Sequence, residues 1–283
     1  MALISVMSAK GAPGATTTSM LLANLWPAPS ILVDADPLGG DVALKLPGQR
    51  GPLDPGHGLM SLLPAARRGL EPQAVVAHSQ TALGGQQVVA GLPGPEQAAA
   101  AAPLWPSLAQ AFARVPGFDV VADVGQVSSR SPHLAMLEHA AALLCVYRPT
   151  AWSAVHTRRR LESLEGHLRD RQLRVGIVGI ATTGETADVA TAAETIRRGL
   201  GWVTDYGVIA RDPATIVIYE GGEVFRPERS LLARSGHTVA RRLYADLAPV
   251  SAGVSTGSTS EDSTSGSATA ETGRTRRGRR RAS

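Results

Sequence analysis

The sequence predicts an α/β fold with a doubly wound, mostly parallel sheet flanked by helices. Three observations predict it. Short apolar runs typical of buried strands alternate with helical segments, a glycine-rich loop directly follows the first run, and acidic residues stand where later runs end. A chain of 283 residues is long enough for one large domain, predicted at 1–248, followed by a tail at 249–283.

The first elements form a strand, loop, helix and strand unit. This order is typical of the βαβ motif of parallel sheets. The predicted elements are a strand at 3–7, a loop of small residues at 8–16, a helix at 17–25 that ends before Pro27, and a strand at 30–33 that runs into Asp34.

The same alternation continues along the chain. Residues 46–57 are rich in proline and glycine and predict an exposed loop. Further strands are predicted at 87–90, 118–122, 142–147, 173–180 and 202–209. Further helices are predicted at 59–66, at 96–114 with a division at Pro103 and Pro106, and at 153–169, 189–199 and 230–247.

Cysteine usage and hydropathy narrow the class of protein. The single cysteine, Cys145, lies in an apolar run, which predicts a buried thiol and excludes an intramolecular disulfide. No stretch approaches the roughly 18 to 20 apolar residues of a membrane span, and the start of the chain lacks the charged region of a secretory signal. We therefore expect a cytoplasmic protein.

The basic charge is concentrated in the tail. Of the formal net charge of +4, residues 249–283 contribute +3. Serine, threonine and glycine dominate up to Gly273, which predicts disorder, and six arginines follow. These arginines predict contact with nucleic acid or an anionic membrane surface, and hence nucleoid or membrane association; the alternative is a solubilising tail. They are Arg274, Arg276, Arg277, Arg279, Arg280 and Arg281.

A second basic run, Arg158 to Arg160, lies within a predicted helix. Three consecutive helical residues spread over nearly a full turn, so only part of this run can face one partner. The pattern favours a solvated helix face.

Three strand ends carry the candidate chemistry, at 8–16, 34–40 and 123–126. Because parallel strands end at the same edge of a sheet, we expect these segments to converge. Backbone N–H groups at 11–16 and the following helix N-terminus can hold phosphate oxygens, and Thr16 offers a hydroxyl for Mg²⁺. The alternative is that the glycines only turn the chain and the acids only face water.

The segment Lys10-Gly-Ala-Pro-Gly-Ala-Thr-Thr17 resembles the deviant phosphate loop of the MinD/ParA ATPases, K-G-G-x-G-K-T-T. Residues 31–37 resemble the next motif of that family, and 118–123 resemble its apolar strand that ends in aspartate. Asp212-Pro213 and Thr182-Thr183 fit less specifically, the latter where the family often has an asparagine that contacts adenine. The resemblance spans about residues 1–248 and implies a P-loop NTPase.

This resemblance implies a homodimer that binds ATP and Mg²⁺. It assigns catalytic roles to Asp36, which would position the attacking water, and to Lys10, which would reach the partner subunit's phosphates. It assigns Mg²⁺ to Thr16, Asp34 and Asp123. The nucleotide-binding residues it implies are Lys10, Gly11, Ala12, Pro13, Gly14, Ala15, Thr16, Thr17, Asp34 and Asp123.

Ala15 departs from the family pattern, because it stands where the in-subunit lysine is expected. A charge-assisted hydrogen bond contributes roughly 1.5 to 3 kcal/mol, so we expect nucleotide binding about ten- to a hundredfold weaker. We therefore predict at most a weak ATPase, hydrolysing ATP to ADP and phosphate slowly or not at all.

The predicted function is that of a positioning or scaffold factor with an unidentified protein cargo. DNA partitioning, septum siting and localisation of pilus or secretion machinery all fit the resemblance. One alternative is a working dimeric ATPase in which Lys10 serves the phosphates of one or both subunits. A metabolic ATP-dependent enzyme on the same fold is less favoured, because the sequence carries no substrate-binding pattern beyond the phosphate loop.

Overall fold

The computed structural model describes residues 1–10, 14–169, 171, 173–224 and 226–248. They belong to the first of two units into which the chain divides, Met1–Pro249. The predicted tail, 249–283, lies outside the described residues, and so do its six arginines. Its disorder and its polyanion contacts therefore stay predictions.

The described residues contain ten strands. In chain order they are β1 (Leu3–Ser8), β2 (Ser30–Asp34), β3 (Pro47–Gly48), β4 (Gly51–Pro52), β5 (Gln80–Thr81), β6 (Gln87–Val89), β7 (Asp119–Asp123), β8 (Ala142–Tyr147), β9 (Arg174–Ala181) and β10 (Val203–Ala210).

The helices of the described residues are α1 (Ala15–Leu25), α2 (Val42–Lys45), α3 (Leu59–Ala66), α4 (Ala74–Ala77), α5 (Pro95–Ala100), α6 (Trp105–Phe112), α7 (Ala135–Glu138), α8 (Ala151–Leu168), α9 (Thr186–Arg197), α10 (Pro213–Ile216) and α11 (Leu231–Leu247). Short 3₁₀ turns occupy Ala102–Leu104, Thr183–Glu185, Val217–Glu220 and Pro227–Arg229.

Eight strands form one sheet in the order β10-β9-β8-β1-β7-β2-β6-β5. All neighbouring strands run parallel apart from β5 and β6, which are antiparallel. The predicted mostly parallel sheet is therefore confirmed. Because β1, β2, β7 and β8 are parallel neighbours, their carboxyl ends meet at one edge of the sheet.

Helices cover both faces of this sheet. Alternate residues of each strand point to opposite sides, so each strand contributes side chains to both cores. On β1, Leu3 and Met7 join one core with α6, α8 and α9, whereas Ile4 and Val6 join the other core with α1 and α11. The doubly wound arrangement is therefore confirmed. Cys145 is fully buried in the first of these cores, as predicted.

Short elements differ from the predicted ones, among them the four-residue helices α2, α4, α7 and α10, which were not predicted. The predicted loop at 46–57 contains the hairpin β3–β4, in which Pro47 pairs with Pro52. Strand β5 was not predicted at all. Two-residue strands carry no periodic pattern, so their pairing depends on tertiary contacts such as the bridge between Gly48 and Ala82. The predicted division of the helix at 96–114 is confirmed, since α5, a 3₁₀ turn and α6 occupy it.

No helix among the described residues combines the length and the apolar character needed to cross a membrane.

The packing of α1 on α11 depends on Gly236. A Cβ atom at this position would lie 2.8 Å from Leu21 Cδ2 and 2.9 Å from Leu25 Cδ1. We expect Gly236→Ala to lower the free energy of unfolding by about 1 to 2 kcal/mol, because overpacking costs about 1 to 3 kcal/mol and exceeds the gain in helix propensity. Urea denaturation followed by circular dichroism measures this change.

Gly166→Ala is the matched control, since Gly166 also lies inside a helix and its added Cβ would meet nothing within 4 Å. We expect this variant to be more stable than the wild type by about 0.5 to 1 kcal/mol. A Gly236→Ala variant as stable as Gly166→Ala would contradict the close packing of α1 on α11.

Candidate functional site

The loop after β1 leads into the N-terminus of α1. Gly14 precedes the helix with φ of +107°, a left-handed conformation that glycine adopts without strain. Thr18 N–H donates to Gly14 O at 2.9 Å, which starts the helical hydrogen bonding. Gly11, Ala12 and Pro13, the predicted phosphate-contacting residues between Lys10 and Gly14, lie outside the described residues.

The two buried aspartates Asp34 and Asp123 lie side by side. They end β2 and β7 and are direct partners in the parallel register. Each is only 1% exposed. Val42 N–H donates to Asp34 Oδ2 at 2.9 Å, and Gly125 N–H donates to Asp123 Oδ1 at 3.1 Å. Among the described residues, no group donates a hydrogen bond to Asp123 Oδ2.

Burial makes both carboxylates hard to ionise. Desolvation, together with the neighbouring charge of Asp123, raises the pKa of Asp34 to about 7. Desolvation also raises the pKa of Asp123 to about 6, opposed by an interaction with the Thr16 side chain. A cation beside these groups would favour their ionised forms.

The donor set fits a hard divalent cation such as Mg²⁺. Asp34 and Asp123 offer carboxylate oxygens, one of them without a partner, and the Thr16 side chain lies against Asp123. In the part of the chain that the structure describes, no group of three or more His, Cys, Asp or Glu side chains could hold a metal ion. Mg²⁺ here would therefore need further oxygen ligands from water and phosphate, as is typical of Mg²⁺ sites in proteins.

Three glycines make room for these carboxylates, and sequence reasoning missed them. A Cβ on Gly40 would lie 2.6 Å from Asp34 Oδ2, and one on Gly91 would lie 2.8 Å from Asp34 Cγ. Gly125 packs in the same way against Asp36, where a Cβ would lie 2.4 Å from Cγ. The sequence signal for this role was weak, since it consists only of glycines that lie two or more residues after the ends of β2, β6 and β7.

Asp36 lies beside the buried pair and is only half-buried. Its Oδ1 accepts from Leu38 N–H at 2.9 Å, and its charge raises the pKa values of Asp34 and Asp123. Together with the position of Thr16, these contacts confirm that the predicted strand ends converge on one site.

Lys10 lies in a separate basic cleft. The cleft is formed with α8 and is lined by Ala9, Lys10, Gln126, His156, Arg159, Arg160 and Ser163. Arg160 Nη2 donates to Ala9 O at 3.4 Å, whereas Arg158 pairs with Glu162 at 3.1 Å. Arg159 and Arg160 thus line the cleft, whereas Arg158 pairs with an acid on its own helix, so the three side chains do not face one partner, as helical geometry predicts.

A cavity of about 300 Å³ adjoins the start of α1. Sequence reasoning missed two arginines at its wall, one after β8 and one after β10. Thr182 is not part of this wall; it is exposed, and its hydroxyl donates to Glu185 Oε2 at 2.8 Å. The lining residues are Gly14, Thr17, Thr18, Leu21, Arg148, Ile180, Ile209, Ala210, Arg211, Asp212, Pro213, Ile216 and Leu232.

A parallel sheet, a helix N-terminus that follows a glycine, and acids at adjacent strand ends are features that P-loop NTPases combine. No protein-family model and no curated protein matches the chain. Solved structures do match, and the chain has the fold of MinD/ParA-type P-loop NTPases.

Three structures illustrate this likeness. The cell division ATPase MinD of Pyrococcus furiosus is 19% identical with a TM-score of 0.65, covering 86% of this chain and 98% of that one. A ParA family ATPase of Chlorobium tepidum is 18% identical with a TM-score of 0.65 and the same coverages, 86% and 98%. The Pyrococcus horikoshii septum site-determining protein MinD, complexed with Mg-ADP, is 14% identical with a TM-score of 0.60, covering 85% and 94%.

The buried pair predicts a specific pH dependence of stability. The folded Asp34 carboxyl keeps its proton up to about pH 7, whereas the unfolded group loses it near 3.8, so metal-free protein loses stability as the pH rises between these values. Asp34→Asn removes this pH-dependent loss of stability. From about pH 5 to pH 8 we expect the free energy of unfolding of the variant to rise by on the order of 2 kcal/mol relative to that of wild type, since one pKa unit corresponds to about 1.4 kcal/mol.

Urea denaturation in the presence of EDTA measures both proteins at each pH. The exposed carboxylate of Asp188 gives the control Asp188→Asn, which should follow the wild type. If the free energies of unfolding of wild type and Asp34→Asn changed equally with pH, the raised pKa of Asp34 would be refuted.

Proposed function

We propose that this protein is a MinD/ParA-type nucleotide-binding positioning or scaffold factor, which binds ADP or ATP with Mg²⁺ weakly and hydrolyses ATP slowly or not at all. The observation that carries the proposal is the buried pair Asp34 and Asp123 beside Thr16. One oxygen of this pair, Asp123 Oδ2, lacks a hydrogen-bond partner among the described residues.

The phosphate groups belong at the N-terminus of α1. Unpaired backbone N–H groups and the helix dipole favour anions there, and Gly14 allows the chain to approach them closely. In the proposal, Thr16, Asp34 and Asp123 hold Mg²⁺, which would neutralise charge on the phosphates. Asp36, next to this pair, orients the water molecule. Lys10 and the loop residues Gly11 to Thr17 complete the nucleotide contacts.

Ala15 is the reason for the proposed weak turnover. Its side chain ends at a methyl group and is buried, so it offers the phosphates no charge. Lys10 does not line the cavity beside Gly14 but the cleft formed with α8. This location suits the proposed contact with the partner subunit's phosphates in a homodimer better than a contact with its own.

The proposed positioning role is supported by analogy with proteins of the same fold. Proteins of this fold include a MinC:MinD cell division protein complex of Aquifex aeolicus. By analogy, we propose a protein cargo for this chain and association with the nucleoid or an anionic membrane through the arginines of its tail. The roles that this analogy offers are DNA partitioning, septum siting and localisation of pilus or secretion machinery.

Titration calorimetry with Mg·ADP and Mg·ATP, with dimerisation followed by light scattering, tests the proposal. We expect weak binding by the wild type and slow or no ATP turnover. Ala15→Lys should bind about ten- to a hundredfold more tightly, because it restores a charge-assisted hydrogen bond. Lys10→Ala should keep Mg·ADP binding but lose ATP-dependent dimerisation.

Arg114→Ala is the charge control, since Arg114 is exposed and precedes β7, at the opposite end of the sheet from the site. Turnover comparable to that of an ATPase with the intact loop would favour the working-ATPase alternative. No gain from Ala15→Lys would contradict the role assigned to position 15, and no binding by any variant would refute the nucleotide site.

A further inference from the structure

Arg148 and Arg211 lie at the wall of the cavity that Gly14 and Thr17 also line. Arg148 follows β8, and the register that pairs Val146 with Ser8 sets it beside the strand that leads into the phosphate loop. Arg211 follows β10, two strands further along the sheet. Sheet order therefore brings both arginines to the edge at which the phosphate site forms.

The backbone at both arginines is held in place. Arg148 N–H donates to Ser153 Oγ at 3.1 Å, which links it to the first turn of α8. Arg211 N–H donates to Ala181 O at 2.7 Å, which extends the pairing of β9 and β10. Their side chains thus start from fixed points on neighbouring parts of the cavity wall.

Neither guanidinium is paired with an acid in the described part of the chain. The ion pairs of the described residues do not include Arg148 or Arg211, and the hydrogen bond between Arg148 and Ser153 uses the Arg148 backbone and not its guanidinium. Two carboxylates lie nearby, and the charge of Glu185 interacts with both arginines, but neither carboxylate forms an ion pair with them. Glu185 Oε2 accepts from the Thr182 amide at 2.7 Å, and Asp212 Oδ2 accepts from the Thr215 hydroxyl at 2.8 Å.

The two positive charges also act on each other. Partial burial lowers the pKa of Arg148, and the neighbouring charge of Arg211 lowers it further, opposed by Glu185. Like charges held together without ion pairs favour an anionic ligand between or beside them. Guanidinium groups suit phosphate in particular, because they can donate two parallel hydrogen bonds to its oxygens.

The rest of the cavity suits a nucleoside. Its wall is mainly apolar, with Leu21, Ile180, Ile209, Ile216 and Leu232. A volume of about 300 Å³ lies at the lower end of the range for small-molecule sites. An apolar pocket that joins a helix N-terminus on one side and two arginines on another fits a ligand with one apolar and one strongly anionic part.

We propose that Arg148 and Arg211 bind the 5′-phosphate groups of the nucleotide and supply the positive charge that Ala15 does not. This inference rests on the proposed function, because it concerns the same ligand. It explains how a phosphate site persists in a chain with 26 arginines and only two lysines, neither of them at position 15. Affinity then depends on residues after β8 and β10 and not on the loop alone.

Calorimetric titration with Mg·ADP tests this assignment on the full chain. Arg148→Ala and Arg211→Ala should each weaken Mg·ADP binding about ten- to a hundredfold, whereas the charge control Arg114→Ala should bind like the wild type. Arg148→Lys should retain part of the affinity, because it keeps the charge but loses the two-pronged contact. Thermal melts of each variant identify loss of fold.

Adenosine, followed by ligand-detected NMR, separates phosphate contacts from nucleoside contacts. Its binding should be the same in wild type and Arg148→Ala, since it has no phosphate. Adding Ala15→Lys to Arg148→Ala should recover most of the lost Mg·ADP affinity, because the loop lysine supplies the charge that the variant lacks.

Two results would overturn the assignment while leaving the proposed function standing. One is Mg·ADP binding by the folded arginine variants within about twofold of Arg114→Ala. The other is an equal loss of adenosine and Mg·ADP binding, which would assign the arginines to the nucleoside. A wild-type protein that binds no nucleotide would instead refute the proposed function itself, and the assignment with it.

Discussion

Two carboxylates buried next to each other are the constraint on which the rest of the site depends. Asp34 and Asp123 end adjacent parallel strands in direct register, and each is almost fully removed from water. Burying charge in this way is unfavourable unless hydrogen bonds or a cation compensate it. The Val42 and Asp36 amides donate to Asp34, the Gly125 amide donates to Asp123, and Asp123 Oδ2 has no donor among the described residues. The fold thus maintains a site whose ionised form gains from a divalent cation.

The phosphate side of the site must then supply positive charge and hydrogen-bond donors. In the described residues the donors begin at the N-terminus of α1, after the left-handed Gly14. Ala15 contributes no charge, and Lys10 lies toward α8. Lys45 is close enough to lower the pKa of Asp123, but its ammonium pairs with Asp41 at 3.1 Å. Among the described residues, Arg148 and Arg211 are cations without an ion pair, and they line a cavity together with Gly14 and Thr17. The proposed site thus has a metal side built from carboxylates and a phosphate side built from amides and guanidinium groups.

Much of this arrangement follows from the sequence alone. Apolar runs that end in glycine or aspartate predicted the parallel strands, and parallel strands place Asp34, Asp36 and Asp123 at one edge whatever the order of the strands between them. The role proposed for Arg148 could not be predicted in this way, because it depends on β8 lying next to β1, and strand order is not encoded in local periodicity. The same holds for Gly40 and Gly91, which are distant in sequence and meet only around Asp34. The hairpin at Pro47 to Pro52 was missed because two-residue strands have no pattern to detect.

Hydrogen–deuterium exchange with and without Mg·ADP reports on the backbone of the whole proposed site in one experiment. If Asp34 and Asp123 hold Mg²⁺ beside phosphates at the N-terminus of α1, adding the ligand should slow exchange in peptides covering 14–18, 34–42 and 123–126. In the two acidic segments this protection should require Mg²⁺. Unchanged exchange in all three segments at saturating nucleotide, or protection confined to the basic cleft around 156–163, would contradict this placement of Mg²⁺ and phosphates.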